Sequence, residues 1–105
     1  MKTYNKLVRD NIPSIISEQG KSCDFRMLTD GDYLDALNAK LYEELAEYHE
    51  SGNVEELADL LEVIYAIARV KGCKEYRLND IRNDKALKCG RFYKKIMLLS
   101  VEEEK

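Results

Sequence analysis

The stretch Glu43-Glu44-Leu45-Ala46-Glu47-Tyr48-His49-Glu50-Ser51-Gly52-Asn53-Val54-Glu55-Glu56-Leu57-Ala58-Asp59 places two acidic pairs on either side of a short break. Gly is the usual left-handed stop of a helix and Asn a common opener of the next, so Ser51-Gly52-Asn53 reads as a turn between two helices. If those helices fold back antiparallel, residues equidistant from the turn meet: Glu44 opposite Asp59, and Glu47 opposite Glu56. Four carboxylates then converge. Two unit charges about 6 Å apart at an effective dielectric near 20 repel by roughly 3 kcal/mol, so such a set calls for a counter-cation or for protons. A hard, oxygen-seeking ion such as Mg²⁺ is the economical partner, with Mn²⁺ as its substitute.

Working outward, Leu34, Leu37, Leu41, Leu45 and Tyr48 recur at three and four, which predicts a helix from Asp32 to about Glu50. Beyond the turn, Leu57, Leu60, Leu61, Ile64, Ile67 and Ala68 predict a second helix from Val54 to about Lys71, with Asn53 and Glu56 as a capping box and Gly72 as its stop. Asn11 as an N-cap, Pro13 in the first turn and Gly20 as a left-handed stop predict a short helix from Ile12 to Gln19. Thr29-Asp30-Gly31 breaks the chain and caps the first long helix. A more polar helix is expected from Lys74 to Cys89, closed by Gly90. Loose alternation at Cys23, Phe25 and Met27, and the apolar run Ile96-Met97-Leu98-Leu99, predict a small two-stranded ribbon pairing residues 22–28 with 96–101, ahead of an acidic end at 102–105. The expected fold is therefore all-α, a helical bundle on a long antiparallel hairpin, with that ribbon as an appendage.

The chain has 105 residues, enough for a single domain, 1–105, that buries roughly two-thirds of its unfolded surface. With 45% hydrophobic and 35% charged residues, one proline and no tryptophan, it reads as globular. A net charge of −3 argues against broad polyanion binding, so any phosphate site must be local. No apolar signal segment or membrane-length run is present, and a soluble, cytoplasmic protein is expected. Cys23, Cys73 and Cys89 are odd in number and lack C-x-x-C spacing, which favours reduced thiols over disulfides or zinc.

At 100° per residue, Glu44 falls between Leu37 and Tyr33, inside the arc that faces the core. Glu47 sits at the edge of that arc beside Lys40, whereas Glu43 points toward solvent. Glu56 and Asp59 share an edge with Val63. The alternative stands beside this reading: exposed helices are rich in glutamate, Glu56 can serve only as a cap, and Asp59 can pair with a lysine. A di-iron bundle would want Glu-x-x-His, but Ala46 stands three before His49, which reads instead as a helix-end histidine.

Glu43-Glu44-x-x-Glu47 followed by Glu56-x-x-Asp59 resembles the E-E-x-x-E … E-x-x-D signature of the all-α nucleoside triphosphate pyrophosphohydrolases, the MazG-like and phosphoribosyl-ATP pyrophosphohydrolase-like superfamily. Tyr4-Asn5-Lys6-Leu7-Val8-Arg9-Asp10-Asn11-Ile12-Pro13 looks like the opening of its small house-cleaning branch, and Lys85 … Gly90-Arg91-Phe92 resembles that branch's C-terminal region. One departure is that only eight residues separate Glu47 from Glu56, fewer than in many MazG members. The resemblance implies Mg²⁺-dependent hydrolysis of a nucleoside triphosphate between the α- and β-phosphates, with Glu44, Glu47, Glu56 and Asp59 as metal ligands. Glu43 or Glu47 would polarise the attacking water. Lys6, Arg9, Lys85 and Arg91 lie in the family-like terminal segments and are candidates to complement the phosphates of the bound nucleotide.

Lys88, Arg91, Lys94 and Lys95 interleave with Phe92 and Tyr93, a pattern able to stack a base, although the acidic remainder argues against nucleic acid as partner. Apolar residues beyond one narrow stripe, Val63, Tyr65 and Val70 among them, point to a homodimer or higher homo-oligomer, as the resemblance also implies. Two rivals share the same helices: a catalytically silent module that senses metal or nucleotide, and a structural hairpin without ligand.

Overall fold

The computed structural model describes residues 2–103; Met1 and the last two residues of the acidic end lie outside it. Four helices follow in order: α1 (Ile12–Glu18), α2 (Asp30–Ser51), α3 (Val54–Val70) and α4 (Glu75–Cys89). The fold is all-α. α2 and α3 pack closely as the antiparallel hairpin, and α4 leans on α3. Among the described residues, no helix is long and apolar enough to cross a membrane.

Each helix end has a local cause. Thr29 opens α2 with its Oγ1 accepting from the Asp32 amide at 3.3 Å, and two acidic residues in the first turn favour the helix dipole. Gly52 closes it at φ 68°, its amide donating to the Tyr48 carbonyl at 2.8 Å. That left-handed step turns the chain in two residues, so α3 begins at Val54. At the far end of α3 the Cys73 amide reaches the Ala68 carbonyl at 2.8 Å around Gly72, a Schellman closure.

Two expected caps do not form. Asn11 makes no side-chain cap bond, because its backbone is helical (φ −90°, ψ −3°) rather than extended and Pro13, in the first turn, has no amide to offer it. Asn53 makes no side-chain cap either; its amide is held by the Ser51 Oγ at 3.1 Å. Glu56 is therefore not a capping-box residue, and its carboxylate is left for other company.

The expected ribbon is also absent. Residues 22–28 and 96–101 carry no strand, and Phe25, Met27, Ile96, Met97, Leu98 and Leu99 stand exposed. A two-stranded ribbon is marginal alone, and here no third strand or covering helix rewards the alternation.

The buried core is small. Leu37, Val63 and Ala66 form it, with Leu7, Tyr33, Leu41 and Ile67 packed around them. Val63, expected outside the main stripe, lies at its centre, and Leu45, Leu57, Leu61 and Ile64, expected inside, are exposed. The reason is rotational: α3 turns toward α2 the edge that bears Glu56, Asp59, Val63 and Ala66, so its leucine-rich stripe points more than about 120° away.

Candidate metal centre on the helical hairpin

Near the turn, the hairpin brings three of the four expected carboxylates into one cluster. Oxygens of Glu44, Glu56 and Asp59 all lie within 4.8 Å of one another. Glu44 comes from α2, two turns before its end, and the other two from the first turns of α3. Glu44 is only 7% exposed, the one buried charged residue among those described. Its Oε2 is sealed from solvent and has no hydrogen-bond donor. An orphaned buried carboxylate oxygen costs free energy unless a cation or proton completes it.

The electrostatics agree with that geometry. Burial pushes the Glu44 carboxyl above the usual 4.5, and the neighbouring charges of Glu47 and Asp59 push it further, against the pull of Lys40. Partial burial, then Glu47 and Asp59, raise Glu56 in the same direction. Glu47 thus adjoins both Glu44 and Glu56, and all four expected carboxylates share one neighbourhood.

Cations border the cluster. Leu7 packs on the hairpin core and carries the N-terminal segment across the acidic end. On one side of it Lys6 Nζ meets Glu43 Oε1 at 2.8 Å; on the other, an Arg9 guanidinium nitrogen donates to Asp59 Oδ1 at 2.7 Å. The strap therefore ties α2 to α3 across the cluster. Lys40, a residue the motif does not include, lies 3.4 Å from Glu43 Oε2 and 3.5 Å from Glu44 Oε1. Its signal in the sequence is its spacing, three and four residues before two glutamates. Glu43, expected to face solvent, is half-buried between the two lysines, and Lys6 foremost holds its carboxyl below the usual value.

Lys85 and Arg91 are not brought to this cluster. Lys85 is exposed on α4, which packs on α3 and not on α2. Arg91 lines a shallow surface concavity with Phe92, Lys94, Lys95, Ile96 and Met97. Tyr65 is turned to α4, its hydroxyl donating to Asn79 Oδ1 at 3.4 Å.

Fold and site together define a helical hairpin with an acidic cluster at its turn. No family model matches the chain, and no solved structure matches it. An uncharacterized protein of Mycolicibacterium smegmatis is similar, 50% identical over 42 residues that make up 40% of this chain. The match spans 43% of that protein's length, so the two share a segment and not a demonstrated whole.

Proposed function

We propose that the chain is a Mg²⁺-dependent nucleoside triphosphate pyrophosphohydrolase, cleaving between the α- and β-phosphates and releasing pyrophosphate. The observation that carries the metal is the convergence of Glu44, Glu56 and Asp59 with Glu44 Oε2 buried and without a donor. The donor set fits the ion. Oxygens sharing one octahedral Mg²⁺ stand about 3 Å apart when adjacent and about 4.2 Å when opposite, given bonds near 2.1 Å, so oxygens now within 4.8 Å of one another would close by up to about 1.8 Å onto one ion. An all-oxygen set without histidine or thiolate suits Mg²⁺ or Mn²⁺ over zinc. When bound, the ion supplies charge neutralisation for the leaving pyrophosphate and acidifies water.

The chain's own residues divide the remaining work. Glu44, Glu56 and Asp59 hold the cation. Glu47 adjoins two of them, makes no ion pair among the described residues, and is the group to accept a proton from the attacking water. Glu43, neutralised by Lys6 and Lys40, is a weaker base and positions those lysines instead. Lys6 and Arg9 sit where a triphosphate would approach, and on binding they would exchange carboxylate partners for phosphate oxygens. The resemblance of the motif to the pyrophosphohydrolase signature supplies the reaction and a house-cleaning role toward modified nucleotides.

Thermal melts with and without Mg²⁺ or Mn²⁺ test the site. At ten times Kd, binding adds about 1.4 kcal/mol, a rise of roughly 6–11 °C for a domain of this size. Glu44→Gln combined with Asp59→Asn should abolish that rise. A wild type indifferent to either metal would leave the hairpin a scaffold.

A further inference from the structure

The single chain exposes more surface than a folded domain of its mass should. Its accessible area is 9955 Å² for 12.2 kDa, against about 6,000 Å² for a compact monomer of that mass. Its radius of gyration is 18.9 Å, where about 13 Å is usual for this length. The excess of about 4,000 Å² is larger than either partner loses in a standard contact of roughly 800 Å² per side. Two apolar features contribute to it. One is the outer flank of the hairpin: Leu45 on α2 and Leu57, Leu61 and Ile64 on α3, all at least 36% exposed. In an antiparallel pair, positive rotation from the facing edge leads to the same side on both helices, so these four lie on one flank. The other is the arm after Gly90, where Phe92, Ile96, Met97, Leu98, Leu99 and Val101 are each 74–98% exposed.

Charge says what covers them. Residues 43–62 contain eight Asp and Glu and no Lys or Arg, whereas 88–95 contain Lys88, Arg91, Lys94 and Lys95 and no acid. Arm and hairpin are complementary in charge and alike in apolar character, yet the arm makes no ion pair with the hairpin of its own chain among the described residues. A turn at Lys95, with φ 60° and its amide donating to the Phe92 carbonyl at 3.4 Å, opens the apolar run.

We propose that the chain is an exchanged-arm homodimer: residues 91–101 of each copy lie along the outer hairpin flank of the other, with Arg91, Lys94 and Lys95 alongside its acidic turn. A face-to-face contact of two flanks would leave both arms bare. Exchange covers flank and arm together and so removes a part of the excess that flank contact alone would leave. The partner's basic residues then border the acidic centre, which among the described residues its own chain supplies with cations from Lys6, Arg9 and Lys40. The dimer rests on surface and charge and holds whether or not the acidic cluster binds metal.

Light scattering on the full chain at about 10 µM should give twice 12.2 kDa. A photoreactive p-benzoylphenylalanine replacing Leu98, in a refolded mixture of ¹⁴N and ¹⁵N chains, should join the arm of one isotope to α3 of the other. Lys94→Glu with Lys95→Glu should weaken dimerisation at least tenfold at 50 mM salt and by less at 1 M, where the Debye length is about 3 Å. A single-chain mass would overturn the proposal. So would crosslinks confined to one isotope, or a dimer whose Leu98 crosslinks avoid α3.

Discussion

The two sides of α3 invert the usual amphipathic order. The side turned to α2 is small and acidic, with Glu56, Asp59, Val63 and Ala66; the side turned outward carries Leu57, Leu61 and Ile64. A helix normally buries its leucines and exposes its carboxylates. Here the hairpin's interior holds carboxylates near the turn beside a small apolar core, and the leucine-bearing face is left exposed. On the reading proposed above, one helix divides two tasks between its sides, a site within the chain and an interface outside it.

That division breaks hardest at the acidic side. Glu44→Gln or Asp59→Asn should lower kcat/KM for pyrophosphate release by about 10³-fold, the scale of several kcal/mol of lost charge stabilisation. Retained helical circular dichroism would show that the fold survives. On the opposite side, Leu61→Lys should produce a helical monomer by light scattering, since a lysine in place of an interface leucine must be desolvated to dock. A dimer unchanged by that substitution would place the interface elsewhere.

Glu44 offers a test with two signs. Its folded carboxyl is raised above the usual 4.5, so the folded state binds more protons than the unfolded one. The stability tied to it is present below the usual value and is lost as pH rises through the raised one. In chelator, Glu44→Gln should therefore melt a few degrees higher than the wild type at pH 8 and show no such gain near pH 4. The same substitution removes stabilisation by Mg²⁺. A variant that melts lower than the wild type at pH 8 would contradict a buried, unpaired charge at this position.

The smallest effect belongs to the strap. Arg9 and Asp59 side chains are 60% and 42% exposed, and such pairs contribute about 0–1 kcal/mol. Arg9→Ala should hardly move Tm, yet should raise KM for the triphosphate about tenfold if Arg9 transfers to phosphate. An equal effect on Tm and none on KM would make it a structural tie only.

The hairpin was legible because its signals are local and redundant. Gly52 fixes the turn, heptad-like spacing fixes the helices, and equidistance from the turn pairs Glu44 with Asp59. The rotation of α3 is not encoded so openly. Leucines outnumber the small residues, and periodicity alone cannot tell which of two apolar faces meets α2 when the other stays exposed. Asn53 and Glu56 match a capping box, but Ser51 takes the Asn53 amide first. The ribbon failed for a related reason, because alternation reports a surface to be covered without saying by what. Lys6 and Arg9 reached the cluster through Leu7, a packing contact that no motif spacing encodes.

The most direct measurement is pyrophosphate release from a panel of standard and modified nucleoside triphosphates, with Mg²⁺ present, by the wild type and by Glu44→Gln. Pyrophosphate and nucleoside monophosphate are expected from at least one member, with loss of both in the variant. Orthophosphate as the product, release of neither, or a variant as active as the wild type would contradict a carboxylate-held metal that drives cleavage between the α- and β-phosphates.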